Sequence, residues 1–242
     1  FAAAPDVHVE IVRELYAALG AYWVSYGCFF HFALMPISDP ALLQAWFSLS
    51  FGIEQVHALL SLAGSEGETP QPPPGVEIRR AGPQDREHLA ELSDLIWREQ
   101  IQSPTWGIHL PESENRAGWA DLADDEEVTT WLAFEGDRAL GSQVYYGVET
   151  SEDDLMVPEN CVRMTAAATR PEARGRGIGT SLTRHGLAQA RADGFDTCET
   201  DWRSASLVTD RFWRRRGFPP VVYRLVRRID SRIAWANWEP VG

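Results

Sequence analysis

Seven residues in the C-terminal half, Arg174-Gly175-Arg176-Gly177-Ile178-Gly179-Thr180, bring together three glycines, two arginines and a hydroxyl. Glycines at 175, 177 and 179 let a backbone approach a bulky anion with no Cβ in the way. If the segment opens a helix, its first N–H groups have no partner inside that helix, and the dipole favours negative charge there. Arg174 and Arg176 add charge-assisted hydrogen bonds that a diphosphate accepts, and the Thr180 hydroxyl adds one more. The spacing is not the dinucleotide fingerprint G-x-G-x-x-G, and it falls late in the chain rather than in a first βαβ unit.

The flanking sequence supplies the elements this turn needs. Val162 to Thr169 reads as a strand entering it, and Gly177 to about Ala192 as a helix leaving it, ended by Gly194. A strand follows from Phe195 to Asp201, a helix from Ser204 to Arg216 and a last strand from Val221 to Ile229. Upstream lie a strand, Val76 to Arg80, and a helix from Pro83 to about Gln100, with Leu89, Leu92, Leu95 and Ile96 on one face. A helix over Ser113 to Ala123 precedes two strands, Val128 to Glu135 and Ala139 to Val148, turned at Gly136-Asp137. An acidic loop, Glu149 to Glu159, completes the run. The order β-α-α-β-β-β-α-β-α-β predicts an α/β fold with a mixed sheet.

Residues 63–75, AGSEGETPQPPPG, contain four prolines and read as a linker. They separate an N-terminal piece, residues 1–62, from a domain at 76–230, with a tail at 231–242. The N-terminal piece reads as helix, strand, helix, strand: Val7 to Tyr26, Cys28 to Met35, Pro40 to Leu49 and Glu54 to Leu62. Shifted by 166 residues it repeats the end of the chain, with Trp46-Phe47 on Phe212-Trp213 and Val56 on Val222. A half-domain of this kind leaves a sheet edge and apolar faces uncovered. It is therefore expected to pack on the C-terminal sheet or to pair with a second copy as a homodimer.

Composition excludes several classes. Net charge is −13, which opposes nucleic-acid binding. Yet residues 161–216 carry 11 arginines against six acids, while residues 98–160 carry 15 acids against three arginines. A basic island in an acidic chain suits an anionic ligand. All 22 basic residues are arginine, so no Walker A lysine and no Schiff-base lysine exist. HExxH and GxSxG motifs are missing as well. Cys28, Cys161 and Cys198 stand alone with no metal-ligand spacing, which predicts no metal site and a reducing, cytoplasmic location. Nothing is apolar for long enough to span a bilayer, so no membrane partner is expected. The opening Phe1-Ala-Ala-Ala-Pro5 lacks both Met and a basic signal region, which points to a processed or cropped start.

These residues resemble the GNAT superfamily of N-acetyltransferases. The family signature [Gln/Arg]-x-x-Gly-x-[Gly/Ala] is matched by Arg174, Gly177 and Gly179. Its downstream pattern Asn-x-x-Ala-x-x-Phe-Tyr-x-x-x-Gly-Phe is approached by Ser206-x-x-Thr209-x-x-Phe212-Trp213-x-x-x-Gly217-Phe218. The resemblance covers Val76 to about Asp230 and implies a mixed, mostly antiparallel sheet flanked by helices. The N-terminal piece is similar to the degenerate copy of a tandem arrangement. Acetyl-CoA or another acyl-CoA would be the co-substrate, lying between the diverging ends of strands 162–169 and 195–201. Backbone groups of Ala168 and Thr169 would pair with its pantetheine arm, the turn from Arg174 through Gly175, Arg176, Gly177, Ile178, Gly179 and Thr180 would hold its pyrophosphate, and Ser206 and Phe212 would line it. A primary amine of a small molecule or peptide would attack the thioester directly.

The sequence departs from that pattern where catalysis is concerned. Trp213 stands where the family often carries a tyrosine acid, and an indole cannot protonate a leaving thiolate. Ser206 replaces the usual Asn. Glu199 and Asp201, beside the expected thioester, are candidate bases for the amine, or else partners for neighbouring arginines. Tyr145 and Tyr146 are further proton-donor candidates, one of them expected in the core. The acidic stretches Asp121 to Glu127 and Glu152 to Asp154 suit a cationic amine through their field, or form a solvated surface. The alternative function is a catalytically silent acyl-CoA sensor or interaction module.

Overall fold

The computed structural model describes residues 8–63, 71–107, 111–150 and 156–233. These fall into two compact units. One comprises residues 1–58, 202–204 and 220–242, and the other residues 59–201 and 205–219. The loop acids Glu152 to Asp154 and most of the 63–75 segment lie outside the described residues.

In the first unit the helix α1 (Ile11–Ser25), strand β1 (Phe30–Pro36), helix α2 (Pro40–Ser48) and strand β2 (Gly52–Ser61, of which the unit holds the part up to Ala58) follow the expected helix-strand-helix-strand order. Pro40 opens α2, and the preceding Asp39 accepts a hydrogen bond from Leu42 N–H at 2.9 Å, satisfying one orphan donor of the first turn. Val12, Tyr16, Met35, Leu42, Trp46, Phe51 and Leu225 form the core. Leu225 comes from the last strand of the chain (Pro220–Arg228), which pairs antiparallel with both β1 and β2.

The second unit contains β3 (Glu77–Arg80), β4 (Val128–Glu135), β5 (Arg138–Val148), β6 (Cys161–Thr169) and β7 (Thr197–Arg203) as far as Asp201, adjacent in that order. Pairing is antiparallel from β3 to β6 and parallel between β6 and β7. A mixed sheet is what the element order predicts, and its mostly antiparallel pairing is what the resemblance implies. Alternation puts successive strand residues on opposite faces. Ala133 and Leu140 meet Ile178 and Leu182 of helix α6 (Ile178–Ala192) on one side. Leu132, Phe134 and Ala139 meet Leu89 and Leu92 on the other.

Those two leucines lie on a helix that is shorter than its periodicity predicts. Instead of running to Gln100 it is broken into α3 (Arg86–Leu92) and α4 (Asp94–Gln100). The break falls at Ser93, whose hydroxyl donates to the Ala90 carbonyl at 2.7 Å and competes with the helical ladder. Asn115 of helix α5 (Glu112–Asp121) donates to the Ser93 carbonyl at 2.7 Å and holds the break in place. Helix α7 (Leu207–Arg214) and the final strand, β8 (Pro220–Arg228), end the fold. No helix among the described residues is long and apolar enough to cross a membrane.

Candidate functional site

The site begins with an irregularity in β6. From Gly141↔Thr169 to Val144↔Ala166 its register with β5 is regular; then it shifts by one, so that Tyr145 faces Met164 and Thr165 is left over. A bulge of this kind bends the strand and sharpens its twist. Pairing with β7 runs from Cys161↔Thr197 to Met164↔Thr200 and stops at the bulge. The Thr200 hydroxyl closes the paired stretch by donating to the Met164 carbonyl at 3.1 Å. Beyond it, β6 from Thr165 to Thr169 keeps β5 on one side only. Arg170 N–H donates to Leu140 O at 2.8 Å, which fixes the alternation. Backbone groups of Ala168 therefore face β5, against the expectation that they pair with the pantetheine arm, and those of Ala167 and Thr169 face the open side.

At the end of this strand Pro171 starts a single 3-10 turn, and the chain passes through Arg174 to Gly177 into α6. Gly175 and Gly177 adopt φ of 77° and 85°, the left-handed region, so the turn requires glycine at both. Gly177 caps α6 without a side-chain hydrogen bond. The first amide to bond within the helix is that of Ser181, to Gly177 O at 2.9 Å. The N–H groups of Ile178, Gly179 and Thr180 precede it and have no intrahelical acceptor. Ile178 is buried in the core and pins this end of the helix.

A buried polar chain fixes the helix over the sheet. The Tyr145 hydroxyl donates to Gln143 Oε1 at 2.7 Å, Gln143 Nε2 to Thr183 Oγ1 at 2.9 Å, and Thr183 to the Gly179 carbonyl at 2.8 Å. Burial, then the nearby Cys198 thiol, push the Tyr145 phenol well above its usual pKa. Tyr145 is thus the core member of its pair. Tyr146, its neighbour on the opposite face, accepts from Arg163 Nη1 at 3.4 Å.

The arginines divide unexpectedly. Arg174 pairs with Glu99 at 3.1 Å and donates through Nε to Thr169 O at 3.4 Å; Arg176 pairs with Glu135. Arg216, which the sequence reading did not single out, reaches the turn from the end of α7. It donates to Thr180 Oγ1 and, at 2.6 Å, to Phe212 O, and its guanidinium carbon lies 3.2 Å from the Phe212 ring centroid. Its Nε is buried with no hydrogen-bond partner among the described residues. Burial first, then repulsion by Arg184 and Arg215, lower its pKa to about 10. The Phe212 ring in turn lies against Gly179, 3.2 Å from where a Cβ would stand.

On the sheet face away from α6, Glu199 is fully buried and accepts from Arg163 Nε. Burial opposes the Arg163 charge, but its bonds to Tyr146 and Glu199 outweigh that and raise its pKa. Asp201 is half-buried two residues further along β7 on the same face. Ser206 caps α7: its Oγ accepts from Thr209 N at 3.4 Å and shares a hydrogen bond with Thr209 Oγ1 at 2.8 Å. Trp213 is buried edge-on between Phe212 and Phe218. Of the acidic stretch, Asp121 and Asp124 both pair with Arg86, which offsets part of its field.

The sequence profile of the Acetyltransferase (GNAT) family matches residues 89–218, more than half of the chain, from within α3 to the end of α7 and beyond. The chain belongs to the GNAT family. Its fold is similar to solved structures of low identity. A GCN5-related N-acetyltransferase from Sphaerobacter thermophilus superposes with a TM-score of 0.60 at 15% identity, covering 91% of this chain and 70% of the other. A conserved protein of unknown function from Staphylococcus epidermidis gives 0.54 at 10%, covering 92% and 82%. The aminoglycoside N-acetyltransferase AAC(6')-Iy, solved with CoA, gives 0.50 at 14%, covering 60% and 89%. No curated protein matches the sequence.

GNAT membership makes acetyl-CoA, or another acyl-CoA, the co-substrate and acetyl transfer the class of reaction. The residues present fit that group. The outward backbone of Ala167 and Thr169 offers strand-like hydrogen bonds, and the glycine turn offers three amides at a helix N-terminus. Arg163, Arg216 and the Tyr145–Gln143–Thr183 chain escaped the sequence reading. Arg163, alone among apolar neighbours in Cys161-Val-Arg-Met164, was the one available signal.

Proposed function

We propose that this GNAT domain transfers an acetyl group from acetyl-CoA to a primary amine of a small molecule or peptide by direct attack on the thioester. The observation that carries the reading is the parting of β6 and β7 at the Thr165 bulge, directly ahead of the Arg174–Thr180 turn. In this reading the pantetheine arm bonds to the open backbone of Ala167 and Thr169. The diphosphate sits on the amides of Ile178, Gly179 and Thr180, with Arg174 and Arg176 turning from their glutamates to meet it. Glu199 and Asp201 lie on the face from which an amine reaches the thioester. Asp201, the more exposed of the two, is the base, and Glu199 holds Arg163 and Tyr146 in line. Since attack needs no covalent enzyme intermediate, the chain supplies orientation and proton removal.

A second reading, a silent acyl-CoA binder, is favoured by one observation: Trp213, at the place of the usual tyrosine acid, is locked in an aromatic cluster. Residues 1–62 are proposed as the remnant of a second, related copy, on the strength of their shared helix-strand-helix-strand order. Thiol release from acetyl-CoA across a panel of amines tests the transferase reading. Release with any amine supports it. Tight CoA binding with no release across the panel favours the silent binder.

A further inference from the structure

Five arginines surround the turn, and the two within the motif are already matched by carboxylates: Arg174 by Glu99 and Arg176 by Glu135. Arg184, Arg215 and Arg216 are not. Among the described residues none of these three makes an ion pair. Arg184 lies one helical turn beyond Thr180, on the same side of α6, and Arg215 and Arg216 follow α7. Arg184 and Arg215 lie near enough to Arg216 for their charges to depress its pKa, and the buried Nε of Arg216 has no acceptor among the described residues. A half-buried guanidinium held among other cations is costly unless an anion joins them. Even with a pKa pushed down to about 10, Arg216 remains charged at neutral pH.

We infer that Arg184, Arg215 and Arg216 form a phosphomonoester subsite that takes the 3′-phosphate of the CoA ribose. The inference rests on the CoA reading above. The turn amides account for the diphosphate, and CoA carries one further anionic group. The unmatched positive charge lies beyond Thr180, outside the turn itself. Arg216 joins the two places through its bond to Thr180 and its stacking on Phe212. Selection of CoA over its dephosphorylated form then comes from side chains that lie outside the signature motif.

Calorimetry of the full chain with CoA and with dephospho-CoA, at low and moderate salt, tests this. The wild-type protein is expected to bind CoA roughly tenfold to hundredfold more tightly than dephospho-CoA, the margin of one or two charge-assisted contacts. In the doubly exposed variant Arg184→Ala/Arg215→Ala that margin shrinks several-fold, while affinity for dephospho-CoA holds. Arg216→Met, which keeps the apolar stem over Phe212, shrinks it likewise. Equal wild-type affinity for both ligands overturns the subsite and leaves the CoA reading intact. Equal weakening of both ligands by the variants overturns it too, since a diffuse field would then explain the arginines. Binding of neither ligand to the folded protein overturns both.

Discussion

The ring of Tyr145 occupies the space above Gly186, so close that a Cβ on that glycine would stand 2.3 Å from the ring. This contact sets the separation between α6 and β5. Gly186→Ala would push the helix away, a steric cost of roughly 1–3 kcal/mol by analogy with other overpacked cores. Denaturant unfolding should show that loss. Adding Tyr145→Leu should restore a good part of it, and no recovery would mean that the helix is held elsewhere.

Gly177 lies at φ of 85°. Gly177→Ala places an L side chain in a left-handed conformation at a cost of about 1 kcal/mol, small enough to leave the fold intact. CoA affinity should fall much further than stability, because the Ile178–Thr180 amides are aimed by this turn. Parallel losses of affinity and stability would show that the turn serves the fold alone.

Asp85 is fully buried and takes two hydrogen bonds from Arg79, each of 2.7 Å, with Gly82 N–H adding a third at 3.0 Å. The Arg79 bonds, against the opposing effect of burial, hold its carboxyl below the usual range. A depressed carboxyl contributes stability that is present above its unfolded pKa, about 4, and lost as pH falls through the folded value. Asp85→Asn should therefore cost about 3 kcal/mol at pH 7. Its urea midpoint should approach that of the wild type as pH falls from about 4 through the lower, folded value. A constant gap down to pH 2 would exclude the linkage.

Glu199 and Asp201 have separable roles in the proposed reaction. Asp201→Asn should lower turnover by about 10²–10⁴ with CoA affinity nearly unchanged, the usual margin for losing a general base. Glu199→Gln leaves Arg163 without its charge partner and should act on stability as much as on rate. Combining it with Arg163→Met should recover stability, whereas a lost base would not be recovered. Full activity in Asp201→Asn would remove that residue from the mechanism.

Much of the fold was legible because its signals are local. The 3.6-residue period, Pro83 and Pro40 at helix starts, and Gly194 and Gly217 at helix ends each speak within a few positions. The break at Ser93 was not, since it depends on a serine choosing a carbonyl that only the folded helix presents. The turn at Arg174 to Gly179 could be read because glycine spacing is itself the device. Its partners could not. Glu99 and Glu135 lie 75 and 41 residues from Arg174 and Arg176, and Arg216 meets Thr180 across two helices. Glu199 shows the same limit: its charge and strand were visible, but its burial against Arg163 depends on the register between β6 and β7. Ser206, expected to line the CoA site in place of the usual Asn, also caps α7, a role set by the helix that follows it.

The bulge at Thr165 has an evolutionary corollary. Where the main chain makes the contacts, the side chains that accompany it are free to change without loss of recognition. Selection then acts on a kink and a few small residues, not on a long conserved patch. A main-chain site of this kind would tolerate wide change in the side chains around it, so long as the kink at Thr165 and the glycines of the turn remain.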